Sequence, residues 1–132
     1  LAADSPHSME LVNEWIKDTP KHKACAYACL NGSIIKDPNF DIEIIEKYLK
    51  IIEDTIISQP DVIQIQMNGF VASVGCQIIG YQERCIELYK MYLDQINIDY
   101  GDTSCKLMDT EKHITSTVNR NRVGVVRKSC RC

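Results

Sequence analysis

The chain of 132 residues contains no apolar run long enough to cross a membrane, which takes about 18 residues or more. It also has no basic, apolar leader. The opening residues LAADSPHS are typical of a mature chain whose targeting peptide has been removed or left out. No internal repeat and no low-complexity segment is visible. Since 45% of the residues are hydrophobic, we predict one compact domain with a substantial core and no membrane span.

Catalytic motifs are missing as well. A hydrolase needs a nucleophile, a base and an orienting group, but His7, His22 and His113 lie in polar stretches without Gly-x-Ser-x-Gly or a similar motif. No glycine-rich phosphate loop is present. Cys25 and Cys29 are four residues apart, whereas a redox pair requires Cys-x-x-Cys. We therefore expect no enzymatic activity and no cofactor. The spacing favours two structural bridges that leave one helix for two other elements.

Zinc is the remaining chemical alternative. Cys105, His113, Cys130 and Cys132 are four ligands that tetrahedral zinc accepts. Their spacing matches none of the common zinc-finger frameworks, and a Cys-x-Cys end serves equally well in disulfides. The sequence therefore predicts no metal site.

Cysteine itself is abundant. Seven cysteines are a high content for a cytosolic protein and an ordinary one for a secreted protein. Asn31-Gly32-Ser33 fits the N-glycosylation sequon. Both features predict a secreted, extracellular location. Because seven is odd, at least one thiol is free, bonded to a small molecule, or joined to a second chain in a homodimer.

The net charge of −3 is unevenly distributed, because residues 111–132 carry +5 and the other 110 residues carry −8. A basic tail on an acidic body folds back onto it or stays solvated. Base stacking on single-stranded nucleic acid uses aromatic side chains, and this tail has none. We therefore expect no nucleic-acid partner.

Apolar residues recur at helical spacing along most of the chain. The pattern predicts helices that begin near Ser8, Thr19, Asp41 and Tyr81, and it places the end of the second helix at Gly32. Residues 105–132 show no clear amphipathic period. The short strings ITSTV and VGVV within them are expected to be extended.

The segment from Asp61 to Gly75 is ambiguous. Ile63, Ile65 and Met67 alternate with glutamines before Asn68-Gly69, which is typical of a β-hairpin. Several of the same apolar residues also fit one face of a helix.

The strings CAYACL, IIKDPNFDIE and CQIIGYQERCIELYKMYL together resemble the insect odorant- and pheromone-binding proteins. That family has two cysteines separated by three residues on one helix and, some forty residues later, two more about nine apart. Cys25, Cys29, Cys76 and Cys85 match these positions, whereas the family's first and last cysteines have no counterpart. The resemblance implies an all-helical fold, and it favours a helix over a hairpin for residues 61–75.

The resemblance also implies how the cysteines pair. The two partners that the family's pattern lacks here are replaced by cysteines of the tail. The expected bridges are Cys25–Cys85, Cys76–Cys105, and Cys29 with Cys130 or Cys132. We therefore expect an all-α, disulfide-linked domain of about five to six helices at residues 1–104. The basic, cysteine-containing tail at residues 105–132 is packed on it or tethered to it.

By the same resemblance, the protein is a secreted transport protein. It would carry a small hydrophobic ligand, such as an odorant, pheromone, fatty acid or amine, in an apolar cavity between helices. The candidate ligand-binding residues are Trp15, Phe70, Tyr81, Leu88, Tyr89 and Tyr92. The alternative is a secreted protein-binding factor of the venom, salivary or cytokine-like kind, whose helical core is filled.

Overall fold

The computed structural model describes residues 2–37 and 39–126, which form six α-helices and no strand. The helices are α1 (Ser8–Trp15), α2 (Pro20–Lys36), α3 (Ile42–Thr55), α4 (Asp61–Gln77), α5 (Gln82–Leu93) and α6 (Thr110–Asn119). Short 3-10 turns occur at Ala2–Asp4 and Ile56–Ser58. The predicted all-α class is confirmed. None of the described helices is long and apolar enough to span a lipid bilayer.

Capping residues in the sequence fix where α2 and α3 begin. The Thr19 hydroxyl accepts a hydrogen bond from the backbone N–H of His22, and Pro20 occupies the first helical position. The Asp41 carboxylate accepts from the backbone N–H of Glu43 at 2.9 Å. Both predicted starts are therefore confirmed.

The predicted end of α2 at Gly32 is wrong, because the helix continues for about one more turn to Lys36. Ile34 lies in this extra turn and is fully buried. Burying an isoleucine gains about 2 kcal/mol, whereas a glycine inside a helix costs about 1 kcal/mol. Tertiary packing thus overrides the local signal.

The central helix is α4, which packs against α2, α5 and α6 and also contacts α3. Eleven of its 17 residues are buried. The helix forms across Asn68-Gly69, so the hairpin alternative is wrong. Gly69 lies close to α2, since a Cβ atom there would stand 2.9 Å from Nδ2 of Asn31.

An aromatic cluster ties α3 to this centre. Tyr27 of α2, Tyr48 of α3 and Phe70 of α4 contact one another edge to face, with ring centroids 5.9–6.4 Å apart. The described helices thus form two layers. In the first, α2, α4 and α6 lie in that order. In the second, α1 packs on α2, α3 on the aromatic cluster, and α5 on α4 and α6.

Part of the segment expected to be irregular is helical. Residues 110–119 form α6, so the prediction of an extended piece at ITSTV is wrong. Only Thr110 and Ile114 of this helix are buried, which explains why no amphipathic period was visible. Ile114 packs directly on Gly75, where a Cβ atom would come within 2.7 Å of Ile114 Cγ1 and 3.2 Å of Cys85 Cβ.

Two of the predicted disulfides are absent. Cys25 is exposed on α2 and Cys85 is buried on α5, and both have free thiols. Cys105 is an exposed free thiol in the loop before α6, so it does not bond Cys76. Cys29 Sγ lies 3.8 Å from the carbonyl oxygen of Ser8, on the side of α1. Its predicted partners, Cys130 and Cys132, lie outside the described residues.

The close contact at Gly75 predicts a steric penalty. We expect Gly75→Ala to lower the free energy of unfolding by about 1–3 kcal/mol, because the added methyl group displaces Ile114. Urea denaturation measures this loss. Ser73→Ala, at a half-buried position on the other side of the same helix, should change stability by less than about 0.5 kcal/mol. In an Ile114→Ala background the penalty of Gly75→Ala should largely vanish, and an undiminished penalty would contradict this packing.

The cysteine environments predict unequal reactivity. Iodoacetamide should label Cys25 and Cys105 rapidly in the native protein, and Cys85 only after unfolding. Burial raises the pKa of the Cys85 thiol to about 12, so it stays protonated and unreactive at pH 8. Mass spectrometry of peptides after timed labelling measures this order. Labelling of Cys25 that requires prior reduction would instead support the predicted disulfide.

Candidate functional site

The residues predicted to line a ligand cavity do not surround one. Phe70 and Tyr92 are fully buried in the core, and Leu88 and Tyr89 nearly so. Trp15 lies apart from them, with its ring stacked at 6.4 Å on that of His22. Two grooves in the described part of the chain are lined by other side chains.

Tyr81, the sixth candidate, belongs to a contact between α3 and α5. Its hydroxyl donates a hydrogen bond to the Glu46 carboxylate, which also accepts from Arg84 Nη1 at 2.5 and 2.6 Å. The Arg84 guanidinium, followed by the Tyr81 hydroxyl, holds the pKa of the Glu46 carboxyl below its usual range. Tyr81 therefore stabilises the contact between α3 and α5 in the second layer.

A buried amide connects α6 to the core. Asn68 is fully buried and its Nδ2 donates to the carbonyl oxygen of Met108 at 3.0 Å. Its Oδ1 accepts from the hydroxyls of Tyr92 at 2.5 Å and Thr110 at 2.9 Å. Desolvation raises the pKa of Tyr92, which therefore remains a neutral donor. These bonds fix the start of α6 against α4 and α5.

The two helix layers differ in charge. The helices α1, α3 and α5 together carry eight acidic and four basic residues. The helices α2, α4 and α6 carry two acidic and four basic residues. Within α2 the charged residues are Lys21, Lys23 and Lys36, with no carboxylate. A polyanion is therefore attracted to the α2/α4/α6 layer and repelled by the other.

The accessible side of α4 is uncharged. Val62, Gln66, Gly69 and Ser73 lie three or four residues apart, so they form one row along the helix. Val62 is exposed and the other three are half-buried. The row leads to Gln77, the last residue of α4.

A groove of about 380 Å³ lies at that end, between α4 and α6. Its polar lining consists of Gln77, His113, Ser116, Thr117, Arg120 and Arg122. The structure places no carboxylate within ion-pair distance of either arginine in the described part of the chain. The groove therefore presents unneutralised positive charge, which we name the α4/α6 groove.

The turn after α6 positions Arg122. Asn121 adopts the left-handed conformation with φ 53°, which asparagine tolerates better than most residues. The backbone N–H of Arg122 then donates to the carbonyl oxygen of Thr117 at 3.0 Å, and that of Gly124 donates to Cys76 at 3.2 Å. The second bond pins the turn onto the end of α4 and closes one wall of the groove.

The sequence showed positive charge in residues 111–132, which include both arginines of this groove, but not the helix that they face. The available signal was the stretch from residue 62 to 82, which contains no Asp, Glu, Lys, Arg or His. An uncharged stretch of this length marks a helix that is buried on several sides.

No known family profile matches the chain, and no curated protein matches it. A solved structure is similar, with a TM-score of 0.76 and 22% sequence identity. It belongs to a family of proteins related to the HEAT-like repeat DNA glycosylases, with affinity for branched DNA structures. The match covers 99% of this chain and 57% of that one, so this chain spans little more than half of the neighbour's length.

The neighbour's fold overturns the predicted membership of the odorant-binding family. The spacing of Cys25, Cys29, Cys76 and Cys85 fits that family, but Cys25 is an exposed free thiol, Cys85 is a buried one, and the helices are arranged as in the solved neighbour. Spacing along the chain does not establish that two cysteines meet, because bridging requires Cα atoms within about 7 Å.

The functional predictions that depended on this family are wrong as well. They comprised a carrier for odorants or other small ligands, a role in transport, and a secreted location. The alternative of a secreted protein-binding factor is not supported. The exclusion of nucleic acid also fails, because the structural neighbour belongs to a family with affinity for branched DNA. The absence of aromatic residues from the tail argued only against base stacking, and backbone binding does not require them.

The Asn68 bonds predict that α6 depends on one side chain. Asn68→Ala should lower the free energy of unfolding by about 3 kcal/mol, the upper range for a buried group whose partners are left unpaired. Hydrogen exchange should rise more in α6 than in α2. Gln66→Ala, on the accessible side of α4, is the matched control and should cost less than about 0.5 kcal/mol. Equal losses in the two variants would contradict the role of Asn68.

Proposed function

We propose that this chain binds the phosphodiester backbone of nucleic acid, with branched DNA as the first candidate, through the α2/α4/α6 layer. The observation that carries this proposal is the charge difference between the two layers. The fold of the neighbour and its family's affinity for branched DNA support it. A DNA-binding role would also place the protein inside the cell.

The surface of this layer suits a phosphate backbone. Lys21 and Lys23 lie on α2, which packs against α4, and Arg120 and Arg122 line the groove at the end of α4. The small side chain of Ser73 lets a sugar-phosphate chain approach the uncharged row of α4 closely. Positive charges that flank such a row bind phosphates and release counterions, which makes the affinity strongly salt-dependent.

The proposal includes binding without catalysis. Two side chains that could act as a nucleophile or a base are either held in another contact or unreactive. His22 Nδ1 is 2.7 Å from the Asp18 carboxylate on the exposed corner between α1 and α2, and burial raises the pKa of the Cys85 thiol to about 12. Because the neighbour's family is related to DNA glycosylases, the absence of catalysis is tested by incubating the protein with alkylated DNA. We expect the DNA to be recovered with all its bases.

Binding is tested by fluorescence anisotropy with a four-way DNA junction and a linear duplex of the same composition. We expect tighter binding to the junction and a linear fall of log K with log salt. The pairs Lys21→Ala/Lys23→Ala and Arg120→Ala/Arg122→Ala should each reduce that slope by about 2.

The control pair is Lys47→Ala/Lys50→Ala on α3, in the other layer. It removes the same charge and should leave the slope unchanged. A slope that falls equally for the control pair would show that net charge, and not this surface, governs binding. The absence of saturable binding to either DNA would refute the proposal.

A further inference from the structure

We propose that the α4/α6 groove is a phosphate-binding pocket, in which the Gln77 amide and the Arg120 and Arg122 guanidiniums hold one phosphate group. This pocket deepens the proposed function. It rests on that function in one respect, since the phosphate group would belong to a nucleic-acid strand. The features of the groove itself do not depend on DNA.

The first observation is the side-chain amide of Gln77, which has no partner within the described residues and lines the groove. This residue is only 7% exposed. The other buried glutamine is satisfied, since Gln64 Nε2 donates to the carbonyl oxygen of Ile56 at 2.9 Å. The Gln77 amide nitrogen and oxygen keep contact with the groove, since within the described residues the fully buried side-chain atom without a partner is Asn31 Oδ1, so the amide can hydrogen-bond a ligand that enters. A ligand with hydrogen-bond acceptors would satisfy it.

The second observation is the charge around this amide. Lys36, Lys50, Arg84 and Lys90 are all paired with carboxylates, whereas the two arginines of the groove are not paired within the described residues. Basic residues near the C-terminal end of α6 also complement its dipole. That effect accounts for Arg120, but it does not account for Arg122 or for the Gln77 amide that lines the same groove.

The carbonyl groups at the C-terminal end of α4 would repel an anion, but three of them are already occupied. Gln82 Nε2 donates to the carbonyl oxygens of Gly75 and Ile78, both at 2.8 Å. Gly124 N–H donates to that of Cys76 at 3.2 Å. The negative end of the helix is thus partly neutralised beneath the groove.

The donors of the groove match a phosphate. Gln77 Nε2 and the Ser116 hydroxyl offer neutral hydrogen bonds, while each guanidinium can bind two phosphate oxygens in its plane. A cation would be repelled by the arginines, and an apolar ligand would leave the Gln77 amide unpaired. A phosphate group satisfies both requirements at once.

The test is an NMR titration of the full chain, labelled with ¹⁵N, with inorganic phosphate at constant ionic strength kept by chloride. We expect saturable shifts of the Gln77 side-chain amide and of the Ser116 and Arg122 backbone amides. Arg122→Gln should weaken phosphate binding by about tenfold, and Gln77→Leu by about fivefold. Lys47→Gln on α3, which removes an equal charge, should have no effect.

Shifts that grow linearly without saturation, or an equal loss with Lys47→Gln, would overturn the pocket. Since Gln77 is buried, its variant is first checked by circular dichroism. Arg122 is exposed, so its variant keeps the test decisive if Gln77→Leu fails to fold.

The two proposals fail separately. If DNA binds with its salt dependence while inorganic phosphate does not shift Gln77, the pocket is wrong and the DNA proposal stands. If phosphate binds and neither DNA does, the pocket stands for free phosphate or a small phosphorylated compound, and the DNA proposal is wrong. Competition between phosphate and a four-way junction, lost in Arg122→Gln, would support both.

Discussion

The hydrogen bonds of the Asn68 amide are the interaction on which the candidate site depends. An isolated helix as short as α6, with ten residues, is marginal in water, and it buries little apolar surface. Asn68 compensates by holding both the loop before α6, through Met108, and the first residue of α6, through Thr110. The groove lies two turns further along the same helix, so its geometry is set by an amide in the core.

The contacts that Asn68 makes explain why the local turn preference of the α4 sequence conflicts with the helix that it forms in the folded chain. Asn68-Gly69 is a strong turn signal in isolation. In the folded chain each residue has a separate task, since Asn68 binds α5 and α6 while Gly69 admits Asn31 of α2 on the opposite side. A central helix that is approached from several sides needs small and polar residues of this kind. Sequences at such positions depart from local propensity.

The sequence alone predicted those helices whose own residues carry the signal. Caps at Thr19 and Asp41 and the apolar stripes of α3 and α5 depend only on neighbours in the chain. The helix α6 was missed because Ile114 is its one buried aliphatic side chain and the rest of its docking is polar. The cysteines misled for a different reason. Their number was taken as a sign of secretion and their spacing as a disulfide pattern, but bonding depends on distances that sequence does not contain.

The groove could be predicted from the sequence only in part. The positive charge of residues 111–132 was evident from composition, and its separation from the acidic body was too. Composition could not show that the turn through Asn121 and Gly124 brings this charge over the end of α4. There the charge lies beside Gln77, whose side chain has no partner within the described residues. Charge alone predicts attraction of any polyanion at long range. An amide donor that faces the groove beside that charge adds a short-range preference for an acceptor, and the combination of the two favours one chemical group over anions in general.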